Sequence, residues 1–538
     1  MMQDRKLPRA HYVTLDGCQI RLWRAGQGPQ LVVLPGLILG ARVVAARLSA
    51  CLPAWTVSVL ELPGLGGSAS AGGATLDAAA DHLATACDLL QIEACALVAL
   101  DLAAPLADRL SRKLSVGPAA DLRVGLERAI AWKRRALHPP PLAPRADGTH
   151  LTAQWAHIRD CHILDAAEPA LPAFAGEDLP TSEELHDTFV AAALSPETYA
   201  RLWSLCLAGL DAGNPTDRGE APEHLSRLAD LPERLAPIVA GLPPAAPPGA
   251  TLALSGGVWH DYVDLPAGRM HVRRAGTRGR GLLLFPSGGG SSATFAPVIE
   301  RLAATHRVVA IDYFGNGESD KPEREVTIET LAEDAESLAD ALGFEAFDVW
   351  GSHTGALAAM ELTVRRPARV GRAVFEGPVF ISASFQADLL EKYFPAMQPD
   401  QWGLHLQLFW NWRRDLFMYW PWYRVEYASA RRLGIPDPAD MHRFVMGLLQ
   451  SGPHYGRAYR SAYTYKTSER IGHVGCPALV CAGPNDMLVD GLGHARRLAQ
   501  RCVTVLQTPT TAWWPAQRPD EVERTLAIYE RFFAGQPL

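Results

Sequence analysis

With 538 residues, 48% of them apolar and 20% charged, the chain is too long for one ordinary core and has ample apolar material for two. A net charge of −7, spread as mixed signs without a basic run, speaks against nucleic acid or an anionic membrane as a partner. Apolar stretches such as residues 31–39 are broken by Pro35 and Gly36 and are too short to cross a bilayer.

The amino terminus carries charge with no apolar run behind it, which argues against a secretory signal. Nine cysteines, an odd number without C-x-x-C spacing, read as free thiols in a reducing compartment rather than disulfides or a zinc site. A cytoplasmic location is therefore expected.

From Tyr12 onward the pattern is a β-hairpin, then buried strands alternating with helices, then a helical insertion, and the whole series starts again at about residue 260. One long duplication accounts for this. Tyr12, Arg24 and Gly26 recur as Tyr262, Arg274 and Gly276 at an offset of 250, and Gly64, Gly66 and Ser68 as Gly315, Gly317 and Ser319 at 251. Ala99-Leu100-Asp101-Leu102-Ala103 recurs as Gly351-Ser352-His353-Thr354-Gly355 at 252. His150, Trp155 and Arg159 recur as His405, Trp410 and Arg414 at 255, and His186, Tyr199 and Arg201 as His442, Tyr455 and Arg457 at 256. The offset only grows, as expected when insertions collect in loops.

The fold class expected is α/β, with two tandem domains built on mostly parallel sheets and carrying helical lid insertions, the first copy truncated. We place the first domain at 1–241, a Pro/Gly-rich linker at 242–258 and the second domain at 259–538, with its lid at about 380–468. After its insertion the second copy continues with a strand at 478–482, a helix to 500, a strand at 503–506 and a last helix at 520–533. The first copy has only about forty residues there, without a convincing pair of strands and without a counterpart of Asp486. Residues 232–241 read as a remnant of the last helix, and 251–254 as a stray strand. Packing of the two halves as an internal pseudo-dimer is expected.

Val349-Trp350-Gly351-Ser352-His353-Thr354-Gly355-Ala356-Leu357 reads as a strand, a sharp turn with glycine shoulders, and a helix. Together with Leu284-Phe285-Pro286-Ser287-Gly288-Gly289-Gly290, Asp312-Tyr313-Phe314-Gly315-Asn316-Gly317 and Ala482-Gly483-Pro484-Asn485-Asp486, in that order and spacing, it makes the second copy resemble the α/β-hydrolase-fold family. The first copy resembles it in eroded form. The resemblance implies a turn that holds a nucleophile under backbone strain at the carboxyl ends of the strands. His353 stands there instead of a serine. It further implies a carboxylate at Asp486, or at Glu376 as in some members, to orient an imidazole, and oxyanion donors in the backbone N–H groups of Gly288 and Thr354. Where the family keeps its catalytic histidine this chain has Trp513, whose indole donates a hydrogen bond but accepts no proton. A serine-type relay is thereby excluded.

In the insertion, helical spacing brings His405, Phe409 and Trp412 to one face and Leu406, Trp410 and Arg413 or Arg414 to the next. As the roof of an apolar pocket they would offer His405, Trp410, Arg414, Tyr455 and Arg457, with Trp513 as a wall, for substrate binding. Core packing is the plain alternative, and recurrence of the motif in the copy without chemistry favours a structural share, including an Arg414–Asp415 brace. Asp101, on the eroded elbow, has no histidine to serve it and reads as scaffold.

The function expected is that of a cofactor-independent enzyme, a hydrolase or lyase, acting on a small apolar carbonyl- or ester-type substrate through His353 as base or nucleophile. No metal site is expected. The alternative is a hydrolase-like protein that binds a ligand or serves as a scaffold without turnover.

Overall fold

The computed structural model describes residues 7–69, 75–163, 179–210, 222–431 and 433–538. The chain forms two compact units, the first of residues 1–145, 149–254 and 399–404, the second of 146–148, 255–398 and 405–538.

In the first unit the strands are β1 (Arg9–Leu15), β2 (Cys18–Ala25), β3 (Gln30–Leu34), β4 (Thr56–Leu60), β5 (Cys95–Leu100), β6 (Ala120–Val124) and β7 (Glu223–Leu225). They form one sheet in the order β1-β2-β4-β3-β5-β6-β7. In the second unit follow β8 (Val258–Leu265), β9 (Gly268–Ala275), β10 (Arg280–Phe285), β11 (His306–Ile311), β12 (Phe347–Ser352), β13 (Val370–Glu376), β14 (Ala478–Ala482) and β15 (Val503–Gln507). Their order, from β8, is β8-β9-β11-β10-β12-β13-β14-β15, the same path with one more strand. Each sheet has an antiparallel hairpin at one edge and parallel pairing from β3 or β10 onward. The parallel strands read as continuous apolar runs because helices cover both faces: Leu31 to Leu34 and Leu282 to Phe285 are fully buried.

One expectation needs correcting and one is refined. Where a pair of strands was not expected, the first unit has a single three-residue strand, β7, paired in parallel with β6; so short a run carries no periodicity to detect. Residues 251–254 form no strand, and the Pro-rich stretch instead lies bonded along the first unit, with Ala245 N–H donating to Gly28 O at 2.8 Å and Thr14 Oγ1 to Leu252 O at 2.7 Å. Residues 231–235 do form a helical turn.

The lid recurrence has a packing basis in both units. In the first, Trp155 Nε1 donates to Gln401 O at 3.2 Å, and a Cβ on Gly403 would fall 2.8 Å from the Trp155 ring. In the second, Trp410 Nε1 donates to Ala146 O at 3.1 Å, and a Cβ on Gly148 would fall 2.4 Å from the Trp410 ring.

Both elbows bend through left-handed backbone, with φ 45° at Asp101 and 51° at His353. Around His353 the bend closes only because of its shoulders. A Cβ on Gly351 would lie 2.1 Å from Gly355 O, and one on Gly355 would lie 2.1 Å from Phe285 O, backbone atoms with no room to retreat. Gly355→Ala is therefore expected to destabilise the second unit by about 2–3 kcal/mol, read as a lowered denaturant midpoint.

Candidate functional site

β12 ends at Ser352, and the elbow helix (Thr354–Arg365) begins one residue later. His353 fills the gap between them with φ 51° and ψ −111°. Its N–H donates to Glu376 O at 2.9 Å, tying the bend to the end of β13. The side chain is buried, 6% exposed as a residue.

The imidazole is held edge-on. Nε2 lies 2.9 Å from Asp486 Oδ2 and 3.2 Å from Oδ1; a carboxylate only accepts, so Nε2 carries the proton. A Cβ on Gly377 would touch the Cδ2 and Nε2 edge, so that edge is packed. Among the described residues Nδ1, on the opposite edge, has no hydrogen-bond partner. Trp513 and Trp514 meet the ring edge-to-face at 5.8 and 6.1 Å.

Asp486 follows β14 and is buried. Burial pushes its carboxyl up, but the adjoining His353 ring, the Leu488 N–H at 2.9 Å and the field of Arg431 outweigh this and hold it below the ordinary carboxylate value.

Glu376 is engaged elsewhere. Its Oε1 accepts from Tyr529 OH at 2.6 Å and its Oε2 from Trp513 Nε1 at 2.7 Å. Burial raises its pKa, the Tyr529 hydrogen bond opposes, and the charge of Asp486 raises it again. Of the two candidate acids, the side chain that meets His353 is that of Asp486.

Gly288 and Thr354 are neighbours: a Cβ on Gly288 would lie 2.7 Å from Thr354 Oγ1. Thr354 opens the elbow helix, so its N–H has no partner within the helix.

In front of the ring is a cleft whose lining comprises Ser287, Gly288 and His353 on the sheet side, Arg413, Leu416 and Phe417 from the lid helix (Leu404–Met418), and Arg431, Tyr459, Met487, Trp513 and Trp514. Of the binding residues expected from sequence, Trp513 is in this lining. The others are engaged away from it. Trp410 bonds to Ala146 O; Arg414 Nη1 pairs with Asp415 Oδ1 at 3.1 Å; Tyr455 OH donates to Pro395 O at 2.8 Å; Arg457 bonds to Pro322 O and Glu323. His405 is buried and outside the lining.

Their near neighbours take the cleft positions: Arg413 in place of Arg414, and Tyr459 one helical turn from Tyr455. The spacing of Phe409, Arg413 and Phe417 at i, i+4 and i+8 is a signal for Arg413 that the sequence does contain. Arg431 reaches the cleft through tertiary folding alone.

Among the described residues no cluster of His, Cys, Asp and Glu is placed to hold a metal ion, and no helix is long and apolar enough to cross a membrane.

A strand-elbow-helix at the carboxyl end of a mostly parallel sheet, with an acid after a later strand, defines the alpha/beta hydrolase fold; the family model of that description matches residues 282–508. A protein named "Putative carbamate hydrolase RutD" from Caulobacter sp. (strain K31) is 28% identical over 226 residues, 40% of this chain and 75% of its own length. One of the same name from Agrobacterium fabrum (strain C58 / ATCC 33970) is 28% identical over 225 residues, 38% of this chain and 76% of its own. Among solved structures, the enol-lactonase from Burkholderia xenovorans LB400 aligns at 18% identity and a TM-score of 0.40, covering 51% of this chain and 99% of that one.

Two measurements check the electrostatics. Trp513→Phe removes a donor from a buried carboxyl oxygen and is expected to cost about 1–3 kcal/mol of stability in denaturant unfolding. Asp486 has a folded pKa below its unfolded value of about 3.9, so its stabilising share is present above that value and lost as pH falls through the folded one. The stability gap between wild type and Asp486→Asn should be full at neutral pH and close below about pH 4.

Proposed function

We propose that the second unit is a cofactor-independent enzyme of the hydrolase or lyase kind, with His353 as general base and Asp486 as the carboxylate that orients it. The observation that carries this is the ring's division of labour: Nε2–H is spent on Asp486, while Nδ1 has no partner among the described residues and the ring lines a cleft. An imidazole so held has one edge fixed by a carboxylate and the lone pair of its other nitrogen free to accept a proton.

A base role is favoured over a nucleophilic one by what surrounds the ring. An acyl-imidazole would need a second base to activate water, and the nearby position where one is expected holds Trp513, bonded to Glu376. As base, Nδ1 takes a proton either from carbon next to a carbonyl or from water. In the first case the C–H pair moves to the carbonyl oxygen as an enolate. In the second, the water oxygen adds to the carbonyl, and the leaving group later recovers the proton from Nδ1. Either oxyanion would be met by the backbone N–H groups of Gly288 and Thr354.

The apolar walls Leu416, Phe417, Met487, Trp513 and Trp514 suit a small organic carbonyl compound. The relatives' printed name, carbamate hydrolase, supports a carbonyl substrate.

Ligand binding without turnover is the second reading. It is favoured by Trp513 closing the position where a second imidazole would work. A panel of esters, lactones, carbamates and β-keto acids separates the two. On the enzymatic reading at least one is converted, His353→Ala abolishes conversion, and Asp486→Asn lowers kcat by about 10²–10⁴-fold. Conversion that survives in His353→Ala would overturn the assignment of the base.

A further inference from the structure

Arginines of the lid region of the second unit are mostly paired. Arg414 faces Asp415, Arg424 faces Asp388, Arg457 faces Glu323 and Arg470 faces Glu361. Arg413 is different. Among the described residues its guanidinium has neither an acidic partner nor a hydrogen bond, and its Nε is wholly buried and unbonded. It sits over the ring of Phe444 at 4.7 Å and that of Phe417 at 5.7 Å. Aromatic faces attract the cation but leave the in-plane N–H fork unused.

Arg431 lines the same cleft. It donates to Asn485 O at 3.1 Å and to Leu416 O, and lies over Trp514 at 4.9 Å. Carbonyls brace it without neutralising it. Burial lowers the pKa of both arginines, that of Arg431 to about 10, and a guanidinium is of all side chains the one least ready to give up its proton. The nearby carboxylate, Asp486, is already committed to His353 and to Leu488 N–H.

A desolvated guanidinium without an anion is costly and persists where something else supplies one. We propose that Arg413, with Arg431 beside it, is a carboxylate-binding subsite, and that the compound presented to His353 is a small organic acid. This rests on the reading of His353 as the catalytic base. One open, planar fork matches the two oxygens of a carboxylate. A phosphate dianion would call for more donors than this apolar lining provides. Seated on Arg413, the acid would have its second carbonyl free to reach His353, Gly288 and Thr354, so the arginine would set both affinity and orientation.

The test is calorimetry on the full chain with benzoate, its uncharged counterpart benzamide, and inorganic phosphate. Benzoate should bind at least tenfold more tightly than benzamide or phosphate. Arg413→Met should lose at least tenfold in benzoate affinity, with an unchanged or raised Tm, because an unpaired buried charge has been removed; a purely structural arginine would lower Tm and leave the preference intact. His353→Ala should still bind benzoate.

Equal affinity for benzoate and benzamide in the wild type overturns the subsite, whether or not the Met variant folds. So does an unchanged benzoate affinity in Arg413→Met, and a preference for phosphate would assign the cleft to a different anion. Benzoate binding by a protein that converts nothing would leave the subsite standing and remove the base. Conversion of uncharged esters without benzoate binding would do the reverse.

Discussion

A backbone forced through positive φ at residue 353 is the constraint from which the geometry of the second unit follows. Left-handed conformation in a residue with a side chain costs of order 1–3 kcal/mol, and here it is enforced on three sides. His353 N–H is fixed to Glu376 O. The glycines at 351 and 355 let strand and helix backbones close to distances that a methyl group would forbid. Asp486 then takes Nε2. The ring cannot turn without breaking the last of these, so strain in the main chain becomes a fixed direction for one nitrogen lone pair.

The first unit separates what the fold needs from what the site needs. It keeps the strand order and the strained elbow, with φ 45° at Asp101, although both shoulders are alanine. What it does with the side chain differs. Asp101 Oδ1 accepts from Arg128 Nε at 2.8 Å, a buried ion pair that satisfies the carboxylate internally. A second comparison points the same way. Arg21, within β2, is bidentate to Glu61 just after β4, and Glu61 also accepts from Trp23. At the equivalent places of β9 and β11, Asp312 accepts from His271, Arg273 and Ser292. The acid is retained, as is a backbone donor, Gly67 N–H in one unit and Glu318 N–H in the other, but the side-chain partners have been exchanged. That is the mark of a buried charge that must be balanced somehow, not of one reaction conserved in both units.

Legibility from sequence followed the same division. Strand positions 478–482 and the elbow were readable because a parallel strand buried on both faces is a plain apolar run, and because glycines on both sides of a polar residue, between a strand and a helix, mark a bend too tight for side chains. The family resemblance left Asp486 and Glu376 both open as partners of the elbow histidine; which of the two side chains meets the ring shows only in the tertiary structure. The lid was different. Leu406, Phe409, Trp410, Trp412, Leu416 and Phe417 are all buried along one helix and Gln407, Asn411, Arg414 and Asp415 lie along its outer stripe, so spacing points Arg413 inward rather than Arg414 but does not say which of the aromatic residues reach the cleft. Trp410 and His405 looked equally suited to a pocket, yet Trp410 is committed to Ala146 and Gly148, segments more than 250 residues away in sequence, where no local period reaches. The three-residue β7 escaped notice because pairing, not composition, makes it a strand.

The tryptophan at 513 connects these observations. A serine on the elbow would need an imidazole between it and the acid, whereas here Asp486 reaches the elbow imidazole directly at 2.9 Å. The side chain at 513 must then neither compete for Asp486 nor leave Glu376 unsatisfied. An indole meets both conditions: its single N–H goes to Glu376 at 2.7 Å, and its ring packs against Phe295 at 4.4 Å and Phe444 at 6.2 Å. It therefore contributes no proton acceptor and excludes water from one side of His353. On its other side the ring borders the cleft that Arg413 and Arg431 also line.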